Sequence, residues 1–147
     1  MAVEYIKKIK DTTVSSESSI YETAPLHNTN QPPFLNKIIQ INTSSSPKEL
    51  LLQVKKIESF MGRLIEGSHN MPRIIDIDIL FHGDAVIETE ELSLPHPMVS
   101  LRKFILIPFA EVEPDFQIPH SNLTIKDLIN HCPDSSRVIR HQMDTQA

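Results

Sequence analysis

Residues 72–81 read Pro-Arg-Ile-Ile-Asp-Ile-Asp-Ile-Leu-Phe, with Ile75, Ile77, Ile79 and Phe81 at alternate positions and Asp76 and Asp78 between them. β-Branched residues at period two predict a buried strand that carries both acids on its other face. Side chains two apart on a strand face are separated by about 6.5–7 Å at Cα, so the two carboxylates can converge on one site. In so apolar a segment their charge calls for compensation. A hard divalent cation fits: Mg2+ takes one or two carboxylates and shares its remaining oxygen positions with substrate phosphates. Arg73 adds a fixed cation matched to phosphate oxygens. The alternative is a half-exposed strand whose outer face holds two solvated acids.

Composition narrows the classes. A length of 147 residues without a long polar tract predicts one domain, 1–147, with a polar tail from about residue 133. The net charge of -5 argues against nucleic acid or an anionic membrane as partner, although a local basic pocket stays open. Cys132 is the single cysteine, which excludes an internal disulfide framework. The first residues lack the apolar core of a signal peptide, and no apolar run reaches the length of a membrane span, so a cytoplasmic location is expected. Three glycines leave no phosphate loop and no dinucleotide fingerprint, so any nucleotide must be held by side chains and metal.

Outward from the acidic stretch, Ser46-Pro47-Lys48-Glu49 predicts a helix start by capping box. Leu50, Val54, Ile57 and Met61 form its apolar stripe, and Gly62 is the expected end. Glu58 sits at the edge of that stripe, as a solvated acid or a ligand contact. Residues 2–10 have helical character, residues 14–23 predict a strand, and residues 34–43 a second, well-buried strand. Within the latter, Asn36 offers a donor and an acceptor together, suited to a heterocycle edge or to a structural hydrogen bond. Residues 24–33 hold three prolines and predict an irregular loop. The polar stretch 63–71, with Arg63 and Arg73 at its ends, suits a lid over phosphates or a plain surface connection.

Downstream, Gly83-Asp84 marks a turn. In Leu94-Pro95-His96-Pro97 two prolines stiffen the chain around one imidazole. Residues 101–112 predict a helix broken or kinked near Pro108, and Thr124-Ile-Lys-Asp127 a capped helix to about His131. Phosphoryl-type transfer fits this set: acids for a metal, arginines beside a loop, a rigid histidine. A transition-metal site built from His69, His96 and the aspartates lacks supporting spacing.

The motifs at 72–81, Leu94-Pro-His-Pro, Arg102-Lys-Phe and Pro108-Phe-Ala-Glu-Val-Glu-Pro114 resemble the 6-hydroxymethyl-7,8-dihydropterin pyrophosphokinases of folate biosynthesis. Ser19-Ile-Tyr-Glu-Thr23, Phe34-Leu-Asn36 and Ile57-Glu-x-x-x-Gly-Arg63 match in the same order, so the resemblance covers about residues 15–129. It implies an α+β, ferredoxin-like antiparallel sheet with helices on its faces. It further implies Mg-dependent transfer of diphosphate from ATP to the hydroxymethyl pterin, releasing AMP, with two Mg2+.

Carried over by position, Asp76 and Asp78 hold the metals and act in catalysis with Arg63 and Arg73. Glu58, Ile79, Ser93, His96 and Arg102 bind ATP, and Thr23, Leu26, Phe34, Asn36 and Phe104 bind the pterin. The partners implied are small molecules, with a monomer as the working expectation. The chain departs from the family in three places. The opening strand and its Gly-Ser-Asn turn have no counterpart, so the first strand is expected to be missing. The loop 64–71 lacks further arginines and a tryptophan, and Ala24 replaces a common proline. These departures motivate an alternative, a catalytically weak pterin- or nucleotide-binding remnant. A glycosyltransferase fragment built on Asp-x-Asp is a third reading, weakened by the absence of a βαβ order.

Overall fold

In the computed structural model the described residues are 2–23, 34–64 and 75–141, with backbone alone at 63 and 64. Their elements, in order, are α1 (Ala2–Ile6), β1 (Thr12–Glu17), β2 (Tyr21–Thr23), β3 (Phe34–Asn36), β4 (Ile39–Thr43), α2 (Pro47–Leu64), β5 (Ile87–Glu88) and β6 (Ser93–Leu94). A single 3-10 turn (Val99–Leu101), α3 (Lys103–Val112), α4 (Ile125–His131) and β7 (Val138–Arg140) follow. The strand pairs β2–β3, β2–β7 and β5–β6 are antiparallel, so helices and antiparallel sheet make the fold α+β. The chain divides into two compact units, Met1–Ser15 with Ile41–His96, and Ser16–Gln40 with Pro97–Ala147.

The first unit is built on α2. Ser46 and Glu49 close the expected capping box: Ser46 N–H donates to the Glu49 carboxylate at 2.8 Å, and Glu49 N–H donates to Ser46 Oγ at 3.2 Å. Leu50, Val54, Ile57 and Met61 are all buried, as their spacing requires. The helix continues past Gly62 to Leu64. Glycine ends a helix where it enters the left-handed region, and Gly62 stays helical. α1 packs on α2, with Ile6 buried and the Tyr5 ring edge-on to Phe60 at 5.2 Å between centroids. It is shorter than the 2–10 expected: the chain turns after Ile6, and Asp11 takes a φ of 53°.

Residues 75–82 are not a strand among the described residues, which corrects the expectation of a strand over 75–81; residues 72–74 of that stretch lie outside the described residues. Their alternation is nonetheless that of extended chain, because Ile75, Ile77 and Ile79 are half-buried while Asp76 and Asp78 are exposed. The pattern belongs to the segment itself, whereas a ladder needs a neighbouring strand in register.

The second unit places the sheet β3-β2-β7 against α3. Its core holds Tyr21, Val99, Ile105 and Pro108, with Leu106 and Ile125 fully inaccessible. The single strands expected over 14–23 and 34–43 are each two strands, broken at Ser18–Ile20 and at Lys37–Ile38. Ser18 accounts for the break. Its N–H donates to Ile38 O at 2.8 Å while its Oγ accepts Ile38 N–H at 2.9 Å, so a side chain replaces a ladder partner. Nor is the second stretch well buried throughout, since Phe34 and Leu35 are both 55% exposed.

α3 runs through Pro108 without a break. The proline leaves the Phe104 carbonyl without its intrahelical donor, but the packing of buried Ile105, Leu106 and Pro108 itself holds the helix together. α4 carries the expected capping box between Thr124 and Asp127. The expected polar tail instead contributes β7, whose Thr23↔Val138 and Tyr21↔Arg140 pairs join it to β2. A segment this polar becomes a strand because β2 offers it an open edge.

Candidate functional site

In the first unit the expected site residues gather on α2, the 75–82 stretch and the β5–β6 hairpin. Glu58 follows buried Ile57, so it leaves the helix at the margin of the core. Its side chain is 12% exposed, and Oε1 lies 3.4 Å from Lys55 Nζ. Its Oε2 accepts the N–H of Ile77 at 2.6 Å. Glu58 is thus bonded to the peptide between the two aspartates, a role its pattern position alone did not disclose. Asp76 and Asp78 lie exposed on the other side of the stretch. His96, half-buried, donates its backbone N–H to Leu80 O at 2.9 Å, which docks the proline-flanked turn beside the acids. Ile79 is half-buried next to Asp78, and Ser93, also half-buried, pairs with Glu88. At the far end of the stretch, His82 Nε2 meets Ser45 O at 2.9 Å.

Two exposed carboxylates of this spacing are hard oxygen donors. No group of three or more potential metal ligands forms among the described residues. The donor set fits a cation that completes its shell with water and phosphate oxygens, as Mg2+ does.

In the second unit Thr23, Phe34 and Asn36 come together on one strand pair, with Thr23 opposite Phe34 and Tyr21 opposite Asn36. Thr23 Oγ1 is buried and has no hydrogen-bond partner among the described residues. Beside it Phe34 stays exposed and Asn36 half-buried. An unpaired hydroxyl, an open aromatic face and an amide make a surface that can accept a flat polar ring. Arg102 precedes α3 with extended backbone, and Phe104 occupies the second helical position, half-buried. Asp134 accepts the N–H groups of Lys103 at 3.0 Å and Ser136 at 2.8 Å. Ser136, above all, holds the Asp134 carboxyl below the usual carboxylate range, helped by Lys103 and the charge of Arg102.

Leu26 and Arg73, together with the side chain of Arg63, lie outside the described residues, as do the stretch 24–33, expected to be a loop, and residues 65–71, expected to form a lid or a surface connection. Sequence reasoning missed the role of Glu111, which accepts from Ser19 and Tyr21. The signal was in the motifs: Ser19-Ile-Tyr-Glu-Thr23 and Pro108-Phe-Ala-Glu-Val-Glu-Pro114 meet through this carboxylate.

Comparison with known proteins supplies the remaining finding. The family model described as 7,8-dihydro-6-hydroxymethylpterin-pyrophosphokinase (HPPK) matches residues 1–114. The 2-amino-4-hydroxy-6-hydroxymethyldihydropteridine pyrophosphokinase of Haemophilus influenzae is 31% identical over 137 residues, covering 93% of this chain and 84% of that protein. The folic acid synthesis protein FOL1 of Dictyostelium discoideum is 33% identical over 129 residues, or 88% of this chain. A folate synthesis bifunctional protein of Arabidopsis thaliana is 41% identical over 111 residues, or 74% of this chain. The chain spans only 20% of the length of the Dictyostelium protein and 23% of the Arabidopsis one.

Proposed function

The chain belongs to the 7,8-dihydro-6-hydroxymethylpterin-pyrophosphokinase family, and from that membership we propose that it transfers the β,γ-diphosphate of ATP to the hydroxymethyl group of 6-hydroxymethyl-7,8-dihydropterin, releasing AMP. The observation that carries the proposal is the exposed pair Asp76 and Asp78, offered by a stretch bonded to α2 through Glu58. These carboxylates would hold Mg2+, two ions in the full arrangement, which when bound supplies neutralisation of phosphate charge.

Other roles fall to the chain's own groups. Arg63, Arg73, His96 and Arg102 would meet the phosphates, fixed cations placed where charge develops on the transferred group. Ile79 and Ser93 would border the nucleotide. Thr23, Leu26, Phe34, Asn36 and Phe104 would take the pterin, with aromatic faces against the ring and the amide on its edge. What supports the pterin side is the pairing of Thr23 with Phe34 and the unpartnered Thr23 hydroxyl among the described residues.

The family match runs through residues of both units, which supports reading them as one ferredoxin-like domain; the state we propose for it is a monomer. The setting we propose is the cytoplasm. No helix among the described residues is long and apolar enough to cross a membrane.

The test is incubation of the folded protein with ATP, Mg2+ and the hydroxymethyl pterin. AMP formation that depends on the pterin is expected, and no AMP above background would overturn the proposal. A second reading, a weak pterin- or nucleotide-binding remnant, is favoured by one observation: the acidic stretch lacks a ladder among the described residues. Calorimetry that finds ligand binding without turnover would select it.

A further inference from the structure

Residues 75–82 hold the two acids yet are not a strand among the described residues. Something other than a ladder must set where the carboxylates point. Two side-chain bonds tie this stretch to α2 and to its N-terminal approach. Near one end the Ile77 N–H donates to Glu58 Oε2 at 2.6 Å, and at the other His82 Nε2 meets Ser45 O at 2.9 Å. The spacing is mutually consistent. The five residues from Ile77 to His82 cover about 17 Å when extended, and the eleven from Pro47, two residues after Ser45, to Glu58 rise about 17 Å along α2. The acidic stretch therefore lies along α2, running opposite to it, and is fastened at both ends.

Of the two fastenings, Glu58 is the one beside the chemistry. Ile77 stands between Asp76 and Asp78, so its N–H fixes the Asp76–Ile77 peptide plane, the first of the two that link the acids. A charge-assisted bond to a carboxylate is stronger than a neutral one. With Oε2 on Ile77 and Oε1 toward Lys55, and with 12% of its side chain exposed, Glu58 has little surface left for a nucleotide. We propose that Glu58 is a positioning residue, which orients Asp76 and Asp78 for a divalent cation through the Ile77 amide and does not itself contact ATP. The inference rests on the pyrophosphokinase reading only for what the cation then serves.

Three measurements on the whole chain test it, comparing Glu58→Ala with Glu58→Gln, whose amide oxygen keeps the acceptor. Without substrates, amide exchange in a peptide spanning 75–82 is expected to be about tenfold or more faster in Glu58→Ala and near wild type in Glu58→Gln. Mn2+ alone, followed by the paramagnetic resonance of the free ion, is expected to bind about 10- to 100-fold more weakly to Glu58→Ala, with Glu58→Gln restoring affinity. In turnover, kcat of Glu58→Ala is expected to fall about 10- to 100-fold while KM for ATP stays within about twofold. Unchanged exchange at 75–82, unchanged Mn2+ affinity, or a raised KM for ATP with unchanged kcat would each overturn the proposal. A wild-type protein that makes no AMP would overturn the pyrophosphokinase reading alone, because exchange and Mn2+ binding still decide the role of Glu58.

Discussion

The Tyr21 hydroxyl donates to Glu111 Oε1 at 2.7 Å. Ser19 adds two bonds to the same carboxylate, from its N–H to Oε1 and from its hydroxyl to Oε2, each at 3.0 Å. Arg140 Nη2 stands 3.8 Å from Oε1. One side chain of α3 therefore secures β2, the turn before it and β7. These donors, Tyr21 first, hold the Glu111 carboxyl below its ordinary value of 4.5. Burial, and then the bond to Glu111, push the Tyr21 phenol up.

Tyr21→Phe is expected to lower stability at pH 7 by about 1 kcal/mol, the net worth of such a hydrogen bond. The sign of its pH dependence follows from the depressed carboxyl. The contribution is complete above the ordinary carboxylate value of 4.5 and disappears as the pH falls through the lower, folded value. Urea midpoints of wild type and variant should therefore converge below pH 4.5. A gap that stays constant into strong acid would show that Tyr21 does not stabilise the Glu111 charge.

Asp78→Ala is expected to reduce AMP formation by at least about 100-fold. Pterin affinity should stay within about threefold of wild type, on the order of half a kcal/mol, because no pterin contact is removed. Coupled AMP detection and a fluorescence titration of the pterin analogue check the two halves. Retained turnover would remove the metal assignment.

Thr23→Val replaces a hydroxyl that is buried without a partner among the described residues. Removing such a group is expected to stabilise the unliganded protein by up to about 1 kcal/mol. If the hydroxyl serves the pterin, affinity should drop about tenfold, equivalent to 1.4 kcal/mol. Thermal melts with and without ligand read both effects, and a variant that binds pterin as well as wild type would free Thr23 from that role.

Thr124→Ala is expected to cost about 1 kcal/mol. It removes the acceptor for Asp127 N–H at 3.3 Å and opens a two-way cap. The Thr124 N–H bond to Asp127 Oδ2, 2.9 Å, remains available to the variant. Thr124→Ser, which keeps the oxygen, should recover most of the loss in a denaturant titration.

What could be read in advance was local. The capping boxes at Ser46 and Thr124 and the stripe of Leu50, Val54, Ile57 and Met61 formed where the spacing put them. Each depends on residues within one or two turns, so the chain encodes them without help from elsewhere. The end of α2, the continuity of α3 through Pro108 and the strand at Val138–Arg140 did not follow the local signals. For α3 packing, and for β7 an available sheet edge, outweighed a one-residue preference.

The candidate site divides in the same way. Sequence by itself determined that Asp76 and Asp78 share a face, because a period of two is a property of extended chain wherever it lies. It also carried the motifs whose order identified the family. Only the tertiary structure decided what holds that face in place. The Ile77 N–H found Glu58, nineteen residues earlier, and Glu111 found Tyr21 ninety residues earlier. A buried backbone or side-chain donor must have an acceptor, but which one is set by the elements that happen to pack beside it, and spacing along the chain does not record that.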